Sequence, residues 1–245
     1  MQVFYAPGIN GRYALLSKTE SNHCINVLRH ARSDIVYLID GSGGLYKAII
    51  TVPDSQACQV EILESYPDYN HGSCKLHIAI APTKQSDRFE WFIEKAVEIG
   101  IDEITPIRCQ RSERREIKIM RFEKIILASM KQAVVAKKPI INEMIPFAQF
   151  IRSNPCNDND KYIAYCSESK KDILHEVLIK GHNTVILIGP EGDFTPDEIQ
   201  LALTADFKPV SLGSRRLRTE TAALAGCFAF NLINPGNAAP DRFLI

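Results

Sequence analysis

Short apolar runs with alternating polar positions dominate residues 1 to about 70. VFYA, DIVYLID, GLYKAIITV and CQVEILESY are rich in β-branched and aromatic residues and predict strands. The Gly41-Ser42-Gly43-Gly44 run between the second and third of these predicts a hairpin turn. One short helix is expected among the strands, starting near a Thr19 cap, with Cys24, Ile25, Val27 and Leu28 on its apolar side. Residues 67 to 73, PDYNHGS, are polar and turn-forming and read as a linker, so the expected domains are 1–70 and 71–245.

From Lys75 onward the pattern changes. The apolar segments LHIAIA, EITPI, KYIAYC, TVILIG and PVSLG alternate with amphipathic stretches, which predicts an α/β domain built on a largely parallel sheet. Helices are expected at Ser86 to Ile99, with Phe89, Phe92, Ile93, Ala96 and Val97 inward, and at roughly 117–137, 170–179, 196–204 and 219–233. The start at Thr195-Pro196-Asp197-Glu198 combines a cap, a proline at the first helical position and two carboxylates. There is no internal repeat and no low-complexity tract.

Composition narrows the class. At 245 residues and 45% hydrophobic the chain is globular, with room for one large core or two smaller ones. Without a long apolar run or a secretory start, the expectation is a cytoplasmic protein with no membrane association. The seven cysteines are odd in number and scattered, so reduced thiols are expected and a metal site is not. A net charge of zero argues mildly against nucleic acid, but its distribution does not. Residues 105–140 hold ten basic and three acidic residues, an excess that local pairing cannot neutralise, which predicts an anion-binding surface rather than only a solvated helix face.

In α/β sheets ligands bind beyond the carboxyl ends of the strands. Three such ends carry candidate chemistry: Tyr165-Cys166-Ser167-Glu168, Gly189-Pro190-Glu191-Gly192-Asp193, and residues 212–221 leading into the last helix. Each has a plain alternative. Gly-Pro-Glu-Gly is also an ordinary turn, Thr219 an ordinary N-cap, and Arg215, Arg216 and Arg218 ordinary surface charge. Neither a P-loop nor a dinucleotide fingerprint is present.

Taken together, GPEGDFT at 189–195 and LGSRRLRTETA at 212–222 closely resemble the SPOUT class of methyltransferases. In detail they resemble the family that methylates N3 of a uridine in bacterial small-subunit (16S) rRNA. Further matches are His23, Val27-Leu28-Arg29, Lys84, the run from Glu94 to Gly100, Pro106, Gln132 and Pro139, so the resemblance spans essentially the whole chain. It implies an N-terminal PUA-like β-barrel that helps hold ribosomal RNA and a trefoil-knotted C-terminal domain acting as a homodimer. It also implies that S-adenosyl-L-methionine is held largely by backbone groups in the loops after Tyr165, Ile188 and Leu212. The matching cofactor positions are Cys166, Ile188, Gly189, Pro190, Glu191, Gly192, Leu212, Gly213, Leu217, Arg218, Thr219 and Ala222. Two departures from the family stand out: Asp193, where a second glycine is common, and Gln2, where an arginine is common.

Methyl transfer from a sulfonium to a uracil nitrogen requires alignment and removal of the N3 proton. The candidate catalytic residues are Arg218, to stabilise charge on the uracil oxygens, and Glu220 as base or orienting group. Glu191 is a second candidate base, the alternative being that in the Gly-Pro-Glu-Gly turn it orients the loop. RNA contacts are assigned to Arg12 and Arg29 in the first domain and to Lys84, Arg88, Arg111, Arg114 and Arg115 in the second. Trp91 is expected in the core. The competing readings are a non-catalytic ribosome-assembly factor and an α/β enzyme holding a nucleotide phosphate at the Thr219 helix start.

Overall fold

A computed structural model describes residues 1–69, 72–153, 160–166 and 171–236. The chain divides into two compact units: one formed by residues 1–69 with Leu127–Lys138, the other by Gly72–Ile126 with Pro139–Gly236.

The first unit is a curled mixed sheet. Its strands are β1 (Val3–Tyr5), β2 (Tyr13–Leu15), β3 (Ile35–Ile39), β4 (Leu45–Val52) and β5 (Gln59–Tyr66), in the order β1-β3-β4-β5-β2. Only the β1–β3 pair is parallel. Two register irregularities in β4 sharpen its bend. Alternate residues Val36, Leu38, Ala48, Ile50 and Val60 point inward and pack with Phe4, Leu16 and Cys24. The expected hairpin turn is present, and Asp40 Oδ1 accepts from the Ser42 and Gly44 N–H groups at 2.7 and 2.9 Å. Helix α1 (Lys18–Asn22) is capped by Ser17, not Thr19: the Ser17 Oγ accepts from the Glu20 N–H at 3.2 Å. It runs on through a wide helical turn over His23–Val27. Glu20, itself buried, accepts from Lys131 Nζ at 2.7 Å, so residues far apart in sequence complete this unit.

The second unit is built on β6 (Leu76–Ile80), β7 (Glu103–Arg108), β8 (Ile140–Ile141), β9 (Ile145–Pro146), β10 (Asp160–Ala164), β11 (Asp172–Ile173), β12 (Thr184–Ile188) and β13 (Lys208–Ser211). The order is β11-β13-β10-β12-β6-β7-β8, with β9 also on β7, and every pairing is parallel. The central strands β6 and β12 are buried along their whole length, as expected for a sheet covered on both faces. One face carries α7 (Thr219–Ile233), which packs on β6 and β12 and against α2 (Ser86–Ile99). Gly226 of α7 lies so close to the sheet that a Cβ there would meet Ile186 at 3.2 Å. The other face packs Ala79, Val185 and Leu187 against Phe147, Phe150 and Ile151 of α4 (Phe147–Ser153) and Ala202 of α6 (Pro196–Thr204). Helix α3 (Ile119–Ala133) carries its buried Phe122 against Phe89.

Besides the Thr19 cap, further expectations need correction. The segment expected as a helix at 170–179 begins, within the described residues, as the edge strand β11. It turns helical only over α5 (Leu174–Val177), because pairing with β13 captures Asp172 and Ile173. Strands β2, β8 and β9 are additional and too short to show a period; helix α4 is additional too, with Phe147, Phe150 and Ile151 buried at helical spacing over only seven residues. Trp91 is 45% exposed on α2 rather than in the core.

The sheet interior holds a polar cluster. His77 Nε2 lies 2.8 Å from Thr105 Oγ1, and Asn142 Nδ2 donates to Thr105 Oγ1 and Glu103 Oε1 at 2.8 and 2.7 Å. Burial lowers the His77 pKa below the ordinary histidine value, against a smaller opposing pull from Glu103. The folded protein therefore binds fewer protons here than the unfolded chain, and the contribution is present above the ordinary value of 6.5 and lost as pH falls towards the depressed one. Chemical denaturation from pH 7.5 down to 5 is expected to show falling stability, with a flatter slope in His77→Gln.

Candidate active site

The register of the sheet brings three strand ends together. Ala164, the last residue of β10, pairs with Ile188 of β12 on one side and with Val210 of β13 on the other. The loops that follow therefore leave the sheet side by side. They enclose a cavity of about 680 Å³.

From the loop after β10 come Tyr165, Cys166 and Lys171; Ser167 and Glu168 lie outside the described residues. The β12 end contributes Ile188, Gly189, Pro190, Glu191 and Asp193, and the loop after β13 contributes Leu212 to Thr219 together with Ala222. The loops are tied by side-chain to backbone bonds. The Thr219 hydroxyl donates to the Gly189 carbonyl at 3.1 Å, joining the start of α7 to the end of β12. Gly189 permits a close approach: a Cβ there would meet the Phe194 ring at 3.1 Å. Gly213 has φ +130, a conformation that L side chains rarely adopt.

Charge around the cavity is mixed: the lining residues include Arg215, Arg216, Arg218 and Lys171 as well as Glu191 and Asp193. Lys171 donates to the Tyr165 carbonyl and sits 3.7 Å from the centre of the Tyr165 ring. Burial lowers its pKa below the ordinary lysine value, and Asp193 opposes that shift.

Of the sequence candidates, Cys166, Ile188, Gly189, Pro190, Glu191, Leu212, Gly213, Leu217, Arg218, Thr219 and Ala222 all line the cavity. Gly192 is not among the lining residues; its carbonyl accepts from Arg111 Nη1 at 2.8 Å. Glu220 is also outside the wall. It is 5% exposed, with Oε1 3.9 Å from Arg88 Nε. Thr219 is not the cap of α7 but its first residue, Arg218 being the cap. Lys171, Ser211, Ser214, Arg215 and Arg216 line the cavity without having been singled out as site residues. The arginines were visible in their string, but nothing in the local pattern separates Lys171 from its neighbour Lys170.

The basic candidates fall into two groups. Arg111 and Arg114 brace loops: Arg111 reaches the Gly192 carbonyl, and Arg114 donates to the Thr83 and Lys84 carbonyls at 3.0 and 2.9 Å. Lys84 pairs with Glu113 at 2.7 Å, and its N–H donates to Glu191 Oε1 at 3.0 Å. Arg115 is exposed in the same loop. In the first unit Arg29 is exposed, and the exposed Arg12 donates from Nε to Glu61 Oε1 at 2.7 Å.

Comparison with known proteins adds an independent line. Residues 70–231 match the family model of the RNA methyltransferase domain, and residues 16–63 match that of the RNA methyltransferase PUA domain. Ribosomal RNA small subunit methyltransferase E of Rickettsia conorii is 30% identical, covering 92% of this chain and 94% of its own. The protein of the same name from Mesomycoplasma hyopneumoniae is 35% identical, over 71% of this chain and 75% of its own. Among solved structures, a probable rRNA-methyltransferase from Porphyromonas gingivalis is 40% identical with a TM-score of 0.87, covering 95% of this chain and 98% of its own. A Ribosomal RNA small subunit methyltransferase E from Neisseria gonorrhoeae, bound to S-adenosyl methionine, is 28% identical with a TM-score of 0.85, covering 95% and 97%.

Proposed function

Since this chain belongs to the RNA methyltransferase family that includes the small-subunit methyltransferases E, we propose that it methylates N3 of a uridine in 16S rRNA, using S-adenosyl-L-methionine. The observation that carries this reading is the cavity of about 680 Å³, walled by the loops bearing GPEGDFT and LGSRRLRTETA. Its volume lies in the range of sites that enclose a whole small ligand. The wall also fits the cofactor chemically, with buried Gly189 and Pro190 beside the apolar Ile188, Leu212 and Leu217. The fine features of the class, a SPOUT-type trefoil knot and a PUA-like barrel, belong to the same reading.

When bound, S-adenosylmethionine supplies an electrophilic methyl group on sulfur. The three loops fix it and exclude water. Arg218, at the cavity wall, offers its guanidinium to the negative charge that develops on a uracil oxygen as N3 loses its proton. Glu191, a residue of the cavity wall whose Oε1 accepts from the Lys84 N–H, is the carboxylate assigned to take that proton, while Glu220, outside the wall, lies beside Arg88.

RNA is positioned by the basic tract and by the first unit, in the cytoplasm and on the small ribosomal subunit or its RNA. Phosphate contacts release counterions, so the logarithm of RNA affinity is expected to fall steeply with the logarithm of salt concentration. Arg115→Ala is expected to reduce that slope by about one without altering sequence preference; an unchanged slope would remove Arg115 from the interface. A homodimer is supported by the outer face of α7, where Phe228 and Leu232, one turn apart, are 54% and 80% exposed.

The reading is tested by nucleoside mass spectrometry of rRNA from cells with and without the gene. Loss of 3-methyluridine is the expected result, and an unchanged profile would overturn it. Calorimetry separates out the non-catalytic assembly factor, which predicts no binding of S-adenosylmethionine.

A further inference from the structure

Asp193 occupies a position that costs it backbone strain. Its φ is 62°, in the left-handed region that Asp enters more readily than most residues but still at a cost. Two bonds from one side chain hold it there. Oδ1 accepts from the N–H of Phe194, its own neighbour, at 2.8 Å, and Oδ2 accepts from the N–H of Cys166 at 2.8 Å. Its own N–H closes the Pro190-Glu191-Gly192-Asp193 turn by donating to the Pro190 carbonyl at 2.9 Å. A single carboxylate thus bridges the loop after β10 and the loop after β12. Both loops wall the cavity, and Lys171 stands close enough to feel the charge.

We propose that Asp193 is a positioning residue: its carboxylate latches Cys166 to the Gly-Pro-Glu-Gly turn and so holds the cavity at the width that admits the cofactor. The latch rests on the cofactor reading above for its purpose, but not for its existence. A carboxylate with both oxygens committed to backbone N–H groups acts on the ligand through the loops it joins. A glycine here would ease the φ and forfeit the bridge. Charge-assisted bonds of this kind are the stronger class, so opening one is worth roughly tenfold in an equilibrium.

Two measurements on the full chain test the latch. In the ligand-free protein, hydrogen exchange at the Cys166 amide is expected to be about tenfold faster in Asp193→Ala than in the native sequence. Asp193→Asn, which keeps one acceptor oxygen, should fall between them. The β10–β12 amides should be unchanged, which shows that each variant is folded. Equal exchange at Cys166 in all three proteins would overturn the latch.

In the second measurement, the Kd for S-adenosylmethionine is expected to rise about tenfold in Asp193→Ala and less in Asp193→Asn, with kcat at saturating cofactor within about twofold. An unchanged Kd with a collapsed kcat would overturn the positioning role. If the native protein bound no S-adenosylmethionine, the cofactor reading would fail, and the exchange measurement alone would decide whether the latch exists.

Discussion

Arg218→Ala is expected to lower kcat for methyl transfer by about 10²–10³, the usual cost of removing one donor aimed at developing negative charge. The Kd for S-adenosylmethionine should change only a few-fold. The reason is position. Arg218 is exposed at the cavity wall immediately before α7, whose first residue, Thr219, is buried and bonded to the Gly189 carbonyl. The backbone that frames the cavity is therefore held by Thr219, and the arginine side chain can be removed without dismantling it. Single-turnover kinetics with labelled cofactor on RNA or on small subunits separates the two quantities. Glu191→Gln and Glu220→Gln complete the comparison. Glu191→Gln is expected to slow transfer more strongly, because Glu191 belongs to the cavity wall, although one of its oxygens also accepts from the Lys84 N–H, whereas Glu220 lies outside the wall with Oε1 3.9 Å from Arg88 Nε. A larger loss in Glu220→Gln would return the base to that residue, and near-native turnover in Arg218→Ala would remove Arg218 from the mechanism.

Phe194→Ala is expected to cost about 3–5 kcal/mol of stability, the range for truncating a buried aromatic side chain where the surroundings relax only partly. Phe194 is almost fully buried, its ring centre lies 5.3 Å from that of Phe147, and it shares a cluster with Ile163, Val185 and Leu187. The same ring rests against Gly189, so the loss should also reach the cavity and weaken cofactor binding. Urea denaturation followed by circular dichroism measures the first effect and calorimetry the second. Phe194→Leu, which keeps most of the volume, should lose far less of both. A cost below about 1 kcal/mol for the alanine variant would mean that the loop does not depend on this anchor.

What the chain discloses in one dimension follows from how local each signal is. Helices Ser86–Ile99, Pro196–Thr204 and Thr219–Ile233 fall at their expected bounds, the first through its apolar period and the second through its end signals. At Thr195 the capping box is complete, with the threonine and Glu198 each bonded to the other's backbone N–H. Loops at 189–195 and 212–222 are legible through their strings. Lys171 is not, because β11 exists only by pairing with β13, a strand more than thirty residues away in sequence. Nor is the role of Arg111, whose partner is a carbonyl 81 residues on. Glu220 and Gly192 sit inside matching strings yet outside the cavity wall: a string records which residue types occur, not which way each one faces. Trp91 departs from the usual burial of a lone tryptophan because it falls on the outer side of α2, opposite Phe89, Phe92, Ile93 and Ala96.

The central pairing of β6 with β12 has a consequence for how the protein is made. The bond from the Lys75 N–H to Asn183 at the head of that pair closes a span of 108 residues. A ribosome must therefore release more than two thirds of the chain before the middle of the sheet can form. Until then β6, apolar at almost every position, waits without its neighbour on one side. Closing so long a loop is entropically slow, and exposed strand edges invite association. The early segment able to cover β6 in the interval is β7, which follows within thirty residues and pairs with it directly. Translation order thus favours a nascent half-sheet, completed only when the residues that wall the cavity emerge.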